Sequence, residues 1–353
     1  MRERLARAGS LALRCLAFAL ASLASPVRAG LGMVELPANP ISGPVTVFYP
    51  AEAPAQAIRR GPFELAVASG AAPSAGSSRL VVISHGSPGS PWMHLDLVRA
   101  LVDAGFTVAL PEHHADNAND PSDPGPPAWR RRPQEVSRAV DRLAGDARFA
   151  PRLDFTRVGM FGMSAGGHTA LTLAGGRWSP VRLRDHCRLH LEEDFHACAG
   201  PSVSLTGGVL DGAKKLLVTA INDRKFDDPA WYGHVDPRIT AVVAGVPFAA
   251  DFDPESLRQP RVALAVIAAQ NDRWLVPRFH SNAIAAACRS CVQLHEVASG
   301  GHGALLGPLP PGRVPPLIQD PPGFDRAAQV PLVNRAISRF FQQALETSAA
   351  GHH

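Results

Sequence analysis

Apolar positions along the chain follow two alternating periods, one typical of buried strands and one typical of helices. Leu80–Ser84 and Thr107–Leu110 are apolar runs of strand length, whereas Leu97 and Leu101 recur at helical spacing within 93–104. Further helices are predicted at 134–149, 278–287 and 335–347, and further strands at 44–49, 63–68, 157–161, 239–244, 261–268 and 292–297. This alternation predicts an α/β fold with a mainly parallel, doubly wound sheet and helices on both faces.

Residues 177–237 interrupt that rhythm and carry several aromatic side chains, including Trp178, Phe195 and Trp231. An insertion at this point would lie above the strand ends. Two interpretations stay open: a cap that shapes a substrate pocket, or a surface excursion pinned by a disulfide. We therefore predict one domain over 30–353 with an insertion at 177–237. Hydrophobic residues make up 46% of the chain and charged residues 19%, which is enough apolar material for a large core.

The first 29 residues have the pattern of an export signal. A basic start precedes the apolar stretch Cys15–Leu23, and Val27-Arg28-Ala29 offers a small-residue cleavage site. The stretch is short for a bilayer span, which takes roughly 20 residues, although an uncleaved anchor is the alternative. Five Arg and one Glu in residues 1–29 account for the whole formal charge of +4, so the mature chain is neutral. Nucleic acid is therefore not an expected partner, and we predict a periplasmic or extracellular location without a stable membrane span.

Four cysteines remain after cleavage at residue 29. Short loops close most readily, so the favoured pairs are Cys187 with Cys198 and Cys288 with Cys291. The second pair is a C-x-x-C sequence, for which redox work is the alternative to a structural bridge. Metal ligation around 185–198 is a further alternative, but the spacing of His and Cys there matches no zinc pattern. We predict no metal and no cofactor.

The strongest chemical signal is Gly162-Met163-Ser164-Ala165-Gly166, between a predicted strand and a predicted buried helix. This is the G-x-S-x-G pattern of a nucleophile elbow, in which a strained strand-to-helix turn exposes the serine hydroxyl. Gly162 and Gly166 are expected because strand and helix pass too close for side chains. The alternative is a structural glycine-rich turn.

His85-Gly86-Ser87 follows the neighbouring buried strand and forms the second chemical stretch. A loop there can aim a backbone N–H at the reacting centre, so we predict Ser87 and Ala165 as oxyanion donors. His85 is expected to brace its loop through hydrogen bonds. For His113 and His114 two interpretations stay open, a polar loop and a wall of the pocket.

Two more residues complete a triad in the predicted order serine, acid, base. Asp272 follows the strand at 261–268, and His302 lies in a Gly-rich loop after the strand at 292–297. This order is that of α/β-hydrolases. A neutral imidazole accepts the serine proton, and the carboxylate orients it. Asp251 and Asp253 compete for the acid role and His295 competes for the base role.

Together these stretches resemble the predicted dienelactone hydrolases, exported serine esterases related to platelet-activating-factor acetylhydrolases. The motifs are Tyr49-Pro50-Ala51, Ser84-His85-Gly86, 162–167, 236–239, Asp272 with Pro277, and Gly301-His302. The resemblance spans about 30–302 and implies an α/β-hydrolase fold, a Ser164–Asp272–His302 triad and the oxyanion donors Ser87 and Ala165. True dienelactone hydrolases use cysteine as the nucleophile, so Ser164 favours ordinary carboxylic esters.

The resulting hypothesis is hydrolysis of a small-molecule ester through an acyl-serine intermediate. An acyltransferase or peptidase that uses the same triad is one alternative. A non-catalytic exported binding protein with this fold is another. Neither acyl-chain length nor oligomeric state follows from the sequence.

Overall fold

The computed structural model describes residues 30–76 and 78–346, so the predicted export signal lies outside the described residues. The strands in chain order are β1 (Gly30–Leu36), β2 (Val45–Ala51), β3 (Gln56–Arg60), β4 (Phe63–Ser69), β5 (Ser78–Ser84), β6 (Phe106–Pro111), β7 (Leu153–Met163), β8 (Arg177–Trp178), β9 (Ile239–Gly245), β10 (Phe252–Asp253), β11 (Ala263–Ala269) and β12 (Val292–Val297). The α-helices are α1 (Leu95–Asp103), α2 (Pro126–Ala144), α3 (Ala165–Leu173), α4 (Pro180–His190), α5 (Phe195–Ala199), α6 (Asp211–Lys225), α7 (Ser281–Ala287) and α8 (Arg326–Glu346).

Ten strands form one mixed sheet in the order β12-β11-β9-β7-β5-β6-β2-β1-β4-β3. The six strands from β12 to β6 are mutually parallel, whereas β2 is antiparallel to both of its neighbours. From β5 the chain moves first to β6 and then back across to β7, so the direction of strand addition reverses beside β5. In open sheets of this kind, ligands bind at such a reversal, outside the carboxyl ends of the strands.

Helices cover both faces of the sheet, and each face has its own apolar core. On one face, Val136 and Val140 of α2 pack with Leu171 of α3 in the same core as Val82. On the other face, Leu101 of α1 and Phe341 of α8 share a core with Val81 and its neighbours. This is the predicted α/β-hydrolase architecture, and the parallel strands are unbroken apolar runs because both of their faces are buried.

The predicted helix boundaries were wrong at two proline-rich approaches. Helix α2 begins at Pro126 and ends at Ala144, whereas 134–149 was predicted; α8 begins at Arg326 instead of residue 335. Each helix contains an internal proline, Pro133 and Pro331. Proline disfavours a helix interior in sequence, but burial of the surrounding apolar face overrides that preference here. The predictions also omitted β1, β3 and the helices α4 to α6.

Residues 177–237 contribute α4, α5 and α6 but no strand of the large sheet. The short strand β8 of this segment pairs with β10 in a separate two-stranded sheet. Across residues 30–76 and 78–346, every helix is too short or too polar to cross a membrane.

Candidate active site

Ser164 occupies the turn between β7 and α3 in a backbone conformation that L-residues rarely adopt, with φ 59° and ψ −119°. The turn is possible because the residues two before and two after Ser164 are glycines, which lack side chains. A Cβ on Gly162 would overlap the carbonyl of Gly166, and a Cβ on Gly166 would overlap the carbonyl of Ser84. The strand and helix therefore approach as closely as the elbow pattern predicts, and the serine hydroxyl is lifted away from both.

His302 and Asp272 converge on Ser164 from two other strand ends. The Nε2 atom of His302 lies 2.9 Å from Ser164 Oγ, and its Nδ1 atom lies 2.7 Å from Asp272 Oδ2. A neutral imidazole with its proton on Nδ1 satisfies both contacts, because Nε2 then accepts from the hydroxyl. Ser164 and Asp272 are 108 positions apart in the chain, and Asp272 and His302 are 30 apart. The three residues form one hydrogen-bonded series, named here the open triad.

The carboxylate of Asp272 is held from the side opposite His302. Its Oδ1 atom accepts from the backbone N–H groups of Trp274 at 2.8 Å and Leu275 at 3.0 Å. The turn that carries His302 is fixed by Arg326, which donates to the carbonyl of Gly303 at 3.0 Å. Both partners of Ser164 are therefore oriented before any substrate arrives.

The competing acids and base lie elsewhere. Asp251 contacts buried His168 at 3.0 Å, Asp253 pairs with Arg177 at 3.1 Å, and His295 lies within strand β12. These residues are explained by packing and surface contacts, so of the candidate acids and bases, His302 contacts Ser164 and Asp272 contacts His302.

The predicted oxyanion donors flank Ser164. Ala165 is the first residue of α3, so its N–H has no acceptor within the helix. Ser87 lines the same cavity as Ser164 and His302. Between them, Gly86 lies so close that a Cβ there would be 3.6 Å from Ser164 Cβ and 4.0 Å from its Oγ.

Two cavities meet at His302. A small one of about 40 Å³ contains Ser164 and is walled by Met93, Met163 and Leu306. A larger cleft of about 410 Å³ lies on the other side of the imidazole, with Trp274 and His196 in its wall. A groove of about 1020 Å³ between α1 and α8 is larger still, but it contains no member of the open triad.

Two other histidines close to Ser164, His85 and His94, are buried, and burial lowers the pKa of each. Burial lowers the pKa of His94, which also lines the small cavity, to about 4. Burial, followed by the neighbouring His113 and Arg132, holds the pKa of His85 well below its ordinary range. The Nδ1 atom of His85 lies 2.8 Å from the Gly86 carbonyl, so this histidine braces its loop as predicted.

His113 belongs to a second serine–histidine–carboxylate series, named here the sealed triad. Its Nε2 atom lies 2.6 Å from Ser84 Oγ and its Nδ1 atom lies 2.6 Å from Glu135 Oε2. Ser84 and His113 are completely buried. His113 therefore does not line the small cavity, and His114 faces a different groove.

Residues 177–237 are fastened to the loop that carries Asp272. Asp194 Oδ2 lies 2.9 Å from Nε2 of both His186 and His280, and its Oδ1 atom accepts from the N–H of Val276. Burial alone would raise the pKa of Asp194, but the hydrogen bonds from these two histidines hold it well below its ordinary range. The His196 ring also packs against the Trp274 ring, with centroids 4.1 Å apart and the planes tilted by 41°.

The cysteines form the two favoured pairs. Cys187 is bonded to Cys198, which ties α4 to α5, and Cys288 is bonded to Cys291 after α7. Over residues 30–76 and 78–346, His, Cys, Asp and Glu nowhere gather in threes with a geometry that suits a metal ion. The histidines of 186–196 instead contact carboxylates and aromatic rings.

Sequence reasoning missed the buried ion pair beneath the Ser87 loop. Arg132 and Asp116 are both completely buried, and the guanidinium lies 2.8 Å from the carboxylate. The two residues are 16 positions apart, on a helix and in a loop, so no local pattern links them.

Comparison with known proteins gives a fold and no family. No family model and no curated protein matches this chain. Among solved structures, it is similar to a ferulic acid esterase from Streptomyces cinnamoneus, with a TM-score of 0.55 over 93% of each chain and 17% sequence identity. At that identity the likeness supports the fold alone.

Proposed function

We propose that this chain is a serine hydrolase that cleaves carboxylic esters. One observation carries the proposal: a serine on a strained elbow, 2.9 Å from an imidazole that is itself 2.7 Å from a buried carboxylate. The fold shared with a ferulic acid esterase adds support. The resemblance of the short motifs to dienelactone hydrolase-like esterases agrees with the same reaction class.

The reaction follows from the positions of the atoms. His302 Nε2 accepts the Ser164 proton as Oγ attacks the ester carbonyl, and Asp272 stabilises the imidazolium. The N–H groups of Ala165 and Ser87 stabilise the oxyanion. The imidazolium then protonates the leaving alkoxide, and water activated by His302 releases the acid from the acyl-serine. Every step uses the chain's own residues.

The sizes and positions of the two cavities support a placement of the two halves of the substrate. The leaving alcohol must receive its proton from His302, so it occupies the cleft of about 410 Å³ beside that imidazole. The acyl group then occupies the cavity of about 40 Å³ at Ser164. That volume is only a few times the space that one water needs, so a short acyl chain is expected.

Hydrolysis of p-nitrophenyl acetate and p-nitrophenyl butyrate by wild type and Ser164→Ala tests the proposal. We expect acetate to be preferred, and Ser164→Ala to lose activity by on the order of 10⁴-fold or more. Ser122→Ala, at an exposed serine, is the matched control and should keep full activity. Equal rates for wild type and Ser164→Ala would refute the proposal. Methyl ferulate, added to the panel, tests the acid named in the structural neighbour.

The alternatives give different results in the same assays. A binding protein with this fold would not react with a fluorophosphonate probe, whereas an active serine would be labelled at Ser164. An acyltransferase would transfer the acetyl group to an added alcohol in preference to water. A peptidase would cleave p-nitroanilides at rates comparable with esters.

The proposal also includes export of the protein from the cell and a role for residues 177–237 as a cap. Two disulfides suit an oxidising compartment. Mass spectrometry of the protein secreted from cells should find an N-terminus at Gly30. The segment 177–237 acts as a cap over the cleft, held through Asp194 and the contact between the His196 and Trp274 rings. Trp274→Ala should therefore raise KM for bulky alcohols more than for methyl esters.

A further inference from the structure

The loop from His85 to Gly89 lies against the nucleophile, and its backbone direction decides where the Ser87 N–H points. A Cβ on Gly86 would be in van der Waals contact with Ser164, and Ser87 shares a cavity with Ser164 and His302. Loops are ordinarily the mobile part of a fold. An oxyanion donor must nevertheless be fixed before reaction, because its value depends on being preorganised.

A buried arginine binds the backbone carbonyls of this loop. Arg132, on α2, donates from Nη1 to the His85 carbonyl at 2.6 Å and from Nη2 to the Gly86 carbonyl at 3.1 Å. Its Nε donates to Asp116 Oδ2 at 2.9 Å. The planar guanidinium thus binds two successive loop carbonyls and one carboxylate with its fixed fork of donors.

Asp116 completes the clamp from the other side. Ser87 Oγ donates to Asp116 Oδ1, so the carboxylate binds Arg132 and the loop at once. Both charged groups are completely buried, and burial without a partner costs several kcal/mol per ion. Leucine or methionine would fill this space at less cost. Arg132 binds two carbonyls of the His85–Gly89 loop and both the carboxylate and the carbonyl of Asp116. A buried pair that joins this loop to the loop after β6 therefore calls for an explanation beyond packing.

The peptide plane supplies that explanation. The Gly86 carbonyl and the Ser87 N–H belong to the same peptide group, which is planar and trans. The two bonds consequently point in opposite directions. Arg132 and His85 Nδ1 both hold the carbonyl oxygen, at 3.1 Å and 2.8 Å, so the Ser87 N–H must point away from α2.

We propose that Arg132 and Asp116 are positioning residues that fix the Gly86–Ser87 peptide plane and thereby aim the Ser87 N–H at the oxyanion. The inference rests on the proposed ester hydrolysis at Ser164. Neither side chain touches the substrate. Loss of one oxyanion donor typically costs on the order of 10²–10³-fold in kcat, and a misdirected donor loses part of that.

The test compares adjacent arginines on the same helix. Arg132→Met with Asp116→Asn removes both buried charges together, whereas Arg131→Met removes a partly exposed arginine that pairs with Asp123 at 2.6 Å. For p-nitrophenyl acetate we expect kcat to fall about 10- to 100-fold in the double variant, with KM changed less than about threefold. Arg131→Met should stay within about twofold of wild type. Wild-type kcat in the folded double variant would overturn the inference.

A second measurement distinguishes a change in the direction of the Ser87 N–H from a general loss of stability. A trifluoromethyl ketone adds to an active serine and forms an oxyanion that needs the same donors. Its affinity for the double variant should fall by about the same factor as kcat/KM, while the shape of the pH profile stays unchanged. A fall in melting temperature with unchanged ketone affinity per folded molecule would overturn the inference.

Conservative variants cover the case in which the double variant fails to fold. Arg132→Lys keeps the charge but cannot bind two carbonyls and a carboxylate together, so we expect about a tenfold fall in kcat. Asp116→Asn keeps an acceptor for Ser87 and should lose less. Full activity in Arg132→Lys would count against the clamp. A wild-type protein that neither hydrolyses esters nor reacts with fluorophosphonate would instead refute the proposed function.

Discussion

Two series of serine, histidine and carboxylate lie within residues 30–76 and 78–346, and they differ in whether the serine faces a cavity. The open triad joins Ser164, His302 and Asp272 through contacts of 2.9 and 2.7 Å. The sealed triad joins Ser84, His113 and Glu135 through contacts of 2.6 and 2.6 Å. By distance alone, the sealed triad is the better hydrogen-bonded of the two.

The backbone at each serine makes the difference. Ser84 is the last residue of strand β5 and pairs in register with Gly162, so its hydroxyl stays within the protein. Ser164 lies one residue beyond its strand at φ 59°, and its hydroxyl faces a cavity. A triad geometry is therefore insufficient for catalysis, because a nucleophile also needs room for a carbonyl carbon about 3 Å away.

Replacing the two carboxylates should give the largest contrast. Asp272→Asn is expected to lower kcat by on the order of 10⁴-fold, because the amide favours the wrong imidazole tautomer. Glu135→Gln makes the same chemical change in the sealed triad and should leave kcat within about threefold. Steady-state kinetics with p-nitrophenyl acetate measures both. Similar losses in the two variants would mean that the sealed triad takes part in catalysis.

Acid should lower the stability of the fold through His94, a buried imidazole to which the described part of the chain offers no carboxylate partner. Its pKa in the folded protein is about 4, below the ordinary 6.5, so the unfolded chain gains a proton that the folded one does not. Stability is therefore lost as the pH falls from about 6.5 towards 4, by about 3 kcal/mol from this group alone. Urea unfolding at pH 7.5 and 4.5 should show a smaller loss in His94→Leu. An identical loss in both proteins would contradict the assignment.

The smallest expected effect comes from removing the sealed hydroxyl. Ser84→Ala should leave hydrolysis within about twofold and lower the free energy of unfolding by about 1–3 kcal/mol, since His113 Nε2 loses its buried partner. Urea unfolding and initial rates measure the two quantities. Exposed Ser122→Ala is the control for both. If Ser84→Ala abolished labelling by fluorophosphonate at unchanged stability, the distinction between the two triads would be wrong.

The open triad was predictable from sequence because each part has a local signal. Ser164 has glycines at fixed spacing, and Asp272 and His302 follow strands whose carboxyl ends must share one edge of a parallel sheet. The sealed triad and the Arg132–Asp116 pair lack such signals. Their partners are 16 to 51 positions apart and meet only when α2 packs against the loops after β5 and β6.

Helix ends were less predictable for a related reason. Pro133 argues against a helix from local preference, yet α2 begins at Pro126 and runs through Pro133 because Trp129 and Val136 are buried against the sheet. Arg132 then falls on the inner face of that helix. A boundary error of eight residues therefore hid the residue that clamps the Ser87 loop.

The contacts of Asp194 limit how the 177–237 segment can be exchanged between proteins of related fold. The Asp194 carboxylate is the shared acceptor for His186 within the segment and for His280 and Val276 outside it. A graft without an anion at this place would leave the buried His280 imidazole and the Val276 amide without their acceptor, next to the loop that bears Asp272. A chimeric protein should therefore take residues 177–237 and 272–287 from the same parent chain.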